Sequence, residues 1–132
     1  MIFVDTSFWV AVNLPRDAHH PSARGLVQQH SNERWVTSNH VLGETWTFIR
    51  SRAGHADAVG FLDRAAGSPR VSIVHASPEI EDAALRWLRR HDERFYSFVD
   101  ATSFALMRSM KIKEALAFDG DFSAAGFREL RA

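Results

Sequence analysis

The chain has 132 residues, 45% hydrophobic and 24% charged, which fits one ordinary domain (1–132) and leaves too little for a second core. Sixteen Lys and Arg against sixteen Asp and Glu give a formal net charge of zero, so the whole molecule does not attract polyanions and any nucleic acid must be held by a local patch. No apolar run reaches membrane-spanning length, no basic-then-apolar leader opens the chain and cysteine is absent, which together predict a soluble cytoplasmic protein with no membrane partner.

In chain order, Ile2 to Val4 reads as a buried parallel strand that ends on Asp5. Thr6 and Ser7 then supply hydroxyls to cap a helix running to Asn13. After Pro15, the stretch Asp17 to His30 carries Ala18, Ala23, Leu26 and Val27 at helical spacing. Arg34 to Thr37 is a short strand, and Ser38 or Asn39 caps a third helix whose stripe is Leu42, Trp46, Ile49 and Ala53, widened by Val41, Thr45 and Phe48. Gly54 ends it. Ala56 to Ala66 is a fourth helix with Val59, Leu62 and Ala66 inward, and Gly67-Ser68-Pro69 is a turn.

Val71 to Val74 is the next strand, followed by Ser77-Pro78-Glu79, where a cap, a first-turn proline and early acid start a helix to about His91. Its inward residues are Ile80, Ala84, Trp87 and Leu88. Ser97 to Met110 forms a helix apolar nearly all round, Glu114 to Phe118 a strand ending on Asp119, Phe122 to Ala125 a helical turn, and Phe127 to Leu130 a last strand. Strands alternating with helices predict an α/β fold, a parallel sheet of four to five strands covered on both faces.

Four acids stand in apolar surroundings: Asp5, Glu44, Asp100 and Asp119. Each has a structural reading. Asp5 and Asp119 cap the helical segments that follow them, Ser97-x-x-Asp100 has capping-box spacing, and Glu44, on a half-buried helix face, pairs with Arg50 or Arg52 or reaches water. Taken together they ask for another explanation, because buried carboxylates are costly unless protonated, paired or bound to metal. A cluster of oxygen ligands without Cys or His selects Mg²⁺ or Mn²⁺ over zinc and suits metal-assisted hydrolysis of a phosphodiester.

The segments Val4-Asp5-Thr6-Ser7, Ser38 to Thr45, Ser97-Phe98-Val99-Asp100-Ala101 and Ala117 to Phe122 resemble PIN-domain ribonucleases, specifically VapC-type toxins of toxin–antitoxin pairs. The resemblance spans the chain. It implies a three-layer α/β/α sandwich, an Mg²⁺- or Mn²⁺-dependent endoribonuclease, a homodimer, and a small VapB-type antitoxin whose tail blocks the site. On this resemblance Asp5, Glu44, Asp100 and Asp119 are the catalytic, metal-binding acids, Thr6 holds a ligand water, and Asp121 ranks below Asp119. The stretches Phe98 to Phe104 and Phe118 to Phe127 look most like a subgroup acting on the sarcin-ricin loop of 23S ribosomal RNA; other members cut transfer RNA.

The candidate RNA patch is Arg86, Arg89, Arg90, His91 and Arg94, with Arg50 and Arg52 as additions, and its structural reading is a solvated helix end. Trp9, Trp46, Phe95 and Tyr96 are candidates for stacking on unpaired bases or for core and dimer contacts. His19, His20 and His40 read as surface residues. Three other readings compete. An aspartyl nucleophile of phosphoryl transfer lacks the second acid of Asp-x-Asp, since Ser7 stands there; a receiver-like signalling domain lacks the late lysine where Asp119 stands, while a non-catalytic PIN-like binding module of the same fold stays open, since fold alone does not separate it. An EF-hand at Asp119 fails because Ala124 replaces the required glycine.

Overall fold

A computed structural model describes residues Met1–Ala132. Five parallel strands, β1 (Ile2–Val4), β2 (Trp35–Ser38), β3 (Val71–Val74), β4 (Glu114–Leu116) and β5 (Arg128–Glu129), lie in the order β3-β2-β1-β4-β5. Helices α1 (Thr6–Asn13), α2 (His20–Gln29), α3 (Asn39–Ala53), α4 (His55–Gly67), α5 (Pro78–Arg90), α6 (Phe98–Met110) and the short α7 (Asp121–Ala124) cover both sides of the sheet. This is the expected α/β/α layering with five strands.

The order records where the chain turns back. It runs outward from β1 through β2 to β3, then crosses to the other side of β1 for β4 and β5. The reversal leaves a crevice at the carboxyl ends of β1 and β4, where open parallel sheets hold their ligands. All of β1 is buried, as its apolar run requires, whereas edge strand β3 is only half-buried.

Serine hydroxyls start three of the helices as their sequences foretell. Ser38 accepts from Val41, Ser77 from Ile80 and Ser97 from Asp100. Asn39 is instead free to accept the Ala76 N–H. Four expectations need correction. α2 begins at His20, because Asp17 accepts the His19 N–H and holds a turn there, leaving Ala18 exposed. In α4 the buried line is Ala58, Phe61 and Ala65, one residue out of phase with the expected stripe, since Phe61 fits against Trp9. Ala53 lies on the exposed last turn of α3. β4 stops at Leu116, so Asp119 sits on a loop beyond the strand and not at its end.

The core is aromatic on the α6 side. Phe104 meets Phe122 at 4.9 Å, Trp87 at 5.2 Å and Phe127 at 5.6 Å, and Phe122 stacks on Phe3 of β1 at 6.1 Å. Phe104 thereby fastens α6 and α7 to the sheet. Phe104→Ala is expected to destabilise the fold by about 3–5 kcal/mol, read as a lower denaturant midpoint; a loss below about 1 kcal/mol would mean that this cluster does not hold the two acid-bearing segments together.

Candidate active site

Asp5 follows β1 directly and is buried. It is itself the N-cap of α1: its Oδ2 accepts the Ser7 N–H at 3.2 Å and the Ser7 hydroxyl at 2.8 Å. The helix therefore starts on the acid, and the hydroxyls that sequence offers as caps do other things. Ser7 Oγ accepts the Phe118 N–H at 3.0 Å, tying the end of β1 to the loop after β4. Thr6 Oγ1 is buried and has no hydrogen-bond partner.

Asp100 is the third residue of α6 and completes a capping box. Its N–H donates to Ser97 Oγ at 2.9 Å while its Oδ2 accepts the Ser97 N–H at 2.9 Å. Asp119 Oδ1 accepts the Asp121 N–H at 3.1 Å across a turn in which Gly120 has φ of 81°. A side chain there is strained, so glycine sets the turn. Arg94 closes the arrangement, donating from Nε to Asp121 Oδ1 at 2.9 Å and from Nη2 to the Asp119 carbonyl at 3.4 Å.

A cavity of about 520 Å³ is lined by Asp5, Glu44, Asp100 and Asp119 together with Thr6 and Ser7. All four acids singled out in the sequence thus meet in one place. Oxygens of Asp100, Asp119 and Asp121 lie within 4.8 Å of one another, so Asp121 stands closer to the cluster than its ranking below Asp119 implied. Glu44 needs a correction: its side chain is exposed at the rim and not half-buried, and it makes no ion pair with Arg50 or Arg52. Glu44 is a single-residue step of about 100° from Thr45, which turns it off the buried line of Val41, Thr45 and Ile49.

Burial and crowding raise Asp5, Asp100 and Asp119 above the usual carboxylate range. Burial pushes Asp5 from 3.8 up to about 8, with the charges of Asp119 and Asp100 adding to it and the Ser7 hydrogen bonds opposing it. Burial raises Asp100 to about 6, against the Ser97 hydrogen bonds and with Asp119 and Asp121 contributing. Asp119, at the exposed lip, is also raised, first by desolvation against the cavity wall and then, despite the Asp121 N–H, by the charges of Asp121 and Glu129. Such a site is waiting for positive charge.

The arginine patch divides. Arg94 reaches the acids, but Arg86 and Arg90 line a separate cavity beside Trp87 and His91, and Arg89 is exposed on α5. Of the aromatics, Trp9 and Tyr96 are buried in the core, Trp46 packs edge-on to His55, and Phe95 is 94% exposed. His40 bonds Glu81 at 2.9 Å, meets Phe98 edge-on at 5.5 Å and is not among the residues lining the acid cavity. Residues that sequence reasoning passed over also line the acid cavity: Asp17, His19, Phe48 and Phe118. The Asp17-x-His19 turn looked like helix, and nothing local marks it as part of a site. Glu129 is a further buried acid, held by Arg131 at 2.7 Å and accepting the Ser123 N–H.

Residues 2–128 match the family described as PIN domain. The chain is 54% identical over 135 aligned positions to the 23S rRNA-specific endonuclease VapC20 of Mycobacterium tuberculosis, in strain CDC 1551 / Oshkosh and in strain ATCC 25618 / H37Rv, covering 99% of this chain and 98% of each relative. Its structure superposes on the crystal structure of Mycobacterium tuberculosis VapC20, described as a sarcin-ricin loop cleaving toxin, with a TM-score of 0.94 and 51% identity over 100% of both chains.

The raised carboxyls make stability depend on pH with a definite sign. In the unfolded chain Asp5 and Asp100 ionise near 3.8, whereas in the fold they keep their protons to about 8 and about 6. The native state therefore binds more protons between those limits, so their contribution is fully present below about pH 4 and is lost as pH rises through the folded values. In chelator the melting temperature is expected to fall from pH 5 to pH 8.5, and Asp5→Asn to flatten that fall. A melting temperature that climbs over this range in both proteins would contradict the electrostatics of the site.

Proposed function

The chain belongs to the PIN-domain family, and we propose that it is the toxin of a VapBC-type toxin–antitoxin pair, an endoribonuclease whose substrate is the sarcin-ricin loop of 23S ribosomal RNA. The observation that carries the chemistry is the meeting of Asp5, Glu44, Asp100 and Asp119 in one cavity at the point where the strand order reverses. The choice of RNA rests on the relatives that share 54% of the sequence.

The residues fit Mg²⁺ or Mn²⁺. The donors are all oxygen, which suits hard cations, and Thr6 Oγ1 is an unpartnered buried hydroxyl beside the first acid, suited to hold a ligand water. Asp5, Asp100, Glu44 and Asp119 would hold the ion, joined by Asp121, an oxygen of which lies within 4.8 Å of oxygens of Asp100 and Asp119. When bound, a divalent cation offsets the charge of the acids, draws a phosphodiester to them and activates a water for in-line attack at phosphorus. The chain's own part is to hold geometry. Ser7 keeps Asp5 from turning, the capping box keeps Asp100 from turning, and Arg94 fixes Asp121, so the oxygens that face the cavity need no reordering when substrate arrives.

The same reading assigns a VapB-type antitoxin as the inhibitory partner, a homodimer as the working assembly and the cytoplasm, where ribosomal RNA is, as the location. No helix of the chain is long and apolar enough to cross a membrane. With zero formal charge, approach to RNA relies on local cations such as Arg94.

Asp5→Asn and Asp100→Asn are expected to lower metal-dependent cleavage of the sarcin-ricin hairpin by more than about 100-fold, since even outer partners of a metal site are worth about 10–100-fold. Both variants should stay folded by circular dichroism. Wild type should gain about 2.7 kcal/mol of stability when Mg²⁺ or Mn²⁺ is present at about 100 times its Kd, and Asp5→Asn should lose that gain. Cleavage by Asp5→Asn at the wild-type rate would remove Asp5 from the site.

A further inference from the structure

Two aromatic rings on the walls of the acid cavity each carry an exposed outer partner, and the first pair is coplanar. On one wall the imidazole of His19 lies over the ring of Phe118 at 4.5 Å with the planes only 3° apart. Phe118 is backed by Phe8 at 5.8 Å, so the pair rests on the core. The His19 backbone is fixed as well, its N–H donating to Asp17 Oδ1 at 2.8 Å. On another wall, the guanidinium of Arg52 lies 4.5 Å from the centre of the Phe48 ring. Both aromatic members line the cavity, and both outer members are exposed.

We propose that His19 and Arg52 are positioning residues that stack on unpaired nucleobases flanking the scissile phosphodiester. This rests on the ribonuclease reading given above and names the part of the RNA that the site grips. The physical case is one of shape. An exposed imidazole or guanidinium lying on an aromatic ring extends that ring outward and presents a second flat face, to which any base can add. A cation placed only to meet a phosphate has no need of coplanarity, and would be free to swing toward the acids. The Arg52 side continues into a neighbouring cavity lined by Arg16 and Arg52 and by Asp17 and Asp57, with Asp17 shared between the two, so the track leads away from the acids along a groove of balanced charge. Paired bases are already stacked on both faces, and a platform of this kind therefore selects a splayed loop over a helix.

The test uses the full chain with Mg²⁺ or Mn²⁺ and two RNA hairpins, one with an intact loop and one with abasic sites beside the cleaved bond. Base stacking on a side chain is worth about 1–3 kcal/mol per base, roughly 5- to 150-fold. His19→Ala and Arg52→Ala are each expected to raise KM within that range on the intact loop with kcat nearly unchanged, and to make little difference on the abasic loop. His19→Phe should restore KM and His19→Lys should not. Rescue by His19→Lys but not by His19→Phe would overturn the stacking assignment in favour of a phosphate contact, and an unchanged KM in both alanine variants would overturn it outright. If wild type cut neither hairpin, the ribonuclease reading would fall and this inference with it; cleavage by wild type with indifferent variants removes the inference alone.

Discussion

The site depends on one recurring interaction: an aspartate whose carboxylate accepts with one oxygen from a backbone N–H two or three residues away. Asp5 Oδ2 accepts from Ser7, Asp100 Oδ2 from Ser97, and Asp119 Oδ1 from Asp121. Each bond makes up part of the cost of burying an acid, and each stops the side chain from rotating toward water. Two of them also place the acid at the start of a helix, α1 or α6, where the unpaired N–H groups favour negative charge. Burial and mutual repulsion still win, since Asp5 and Asp100 are both raised. The remaining repulsion is what a divalent cation relieves, so the same crowding that weakens the metal-free fold strengthens the claim of the site on metal.

Strand order turns these local bonds into a shared site. Because β1 lies between β2 and β4, the loop after β4 returns beside Asp5 from across the molecule. Ser7 completes the closure with one hydroxyl, donating to Asp5 and accepting from Phe118, more than a hundred positions away in sequence. Phe118 is then held from both sides, by Phe8 below and His19 above. Acid cavity and stacking platform consequently share a wall, and a displacement of Phe118 would disturb both. On the opposite side of β1, Thr37 donates to the Val4 carbonyl at 2.9 Å and keeps β2 in register as α3 leaves it carrying Glu44 and Phe48.

What was legible in the sequence is what local chemistry decides. The strand ending at Asp5, the serine caps at Ser38, Ser77 and Ser97, and the all-round apolar α6 are set by neighbours within a few residues, and they stand where the pattern put them. The meeting of four acids was readable only through the apolar sequence around each and their order along the chain, since Asp5 and Asp100 are buried but Glu44 and Asp119 are exposed. Less legible were features that depend on distant contacts. Asp17 and His19 have the composition of a helix start, but their role comes from Phe118 on the far strand's loop. Glu44 lies one residue before the buried Thr45, and the roughly 100° step between them sets it at the rim rather than on a half-buried face. The arginines of α5 looked like one patch, yet only Arg94, on the loop after the helix, finds the acids.

The competition between capping and metal binding, which the sequence left open for Asp5, Asp100 and Asp119, rests on treating a carboxylate as a single group. A carboxylate has two oxygens and about four lone-pair sites. One oxygen held by a backbone N–H fixes the direction of the other, and in an aspartate only two torsions stand between backbone and carboxylate, so little freedom remains once the first bond is made. Glutamate at the same position, with one more rotatable bond, would satisfy the capping box equally well and leave the second oxygen less certain. Aspartate in place of the usual Glu or Gln at Asp100 thus lets the capping box fix the direction of the second carboxylate oxygen.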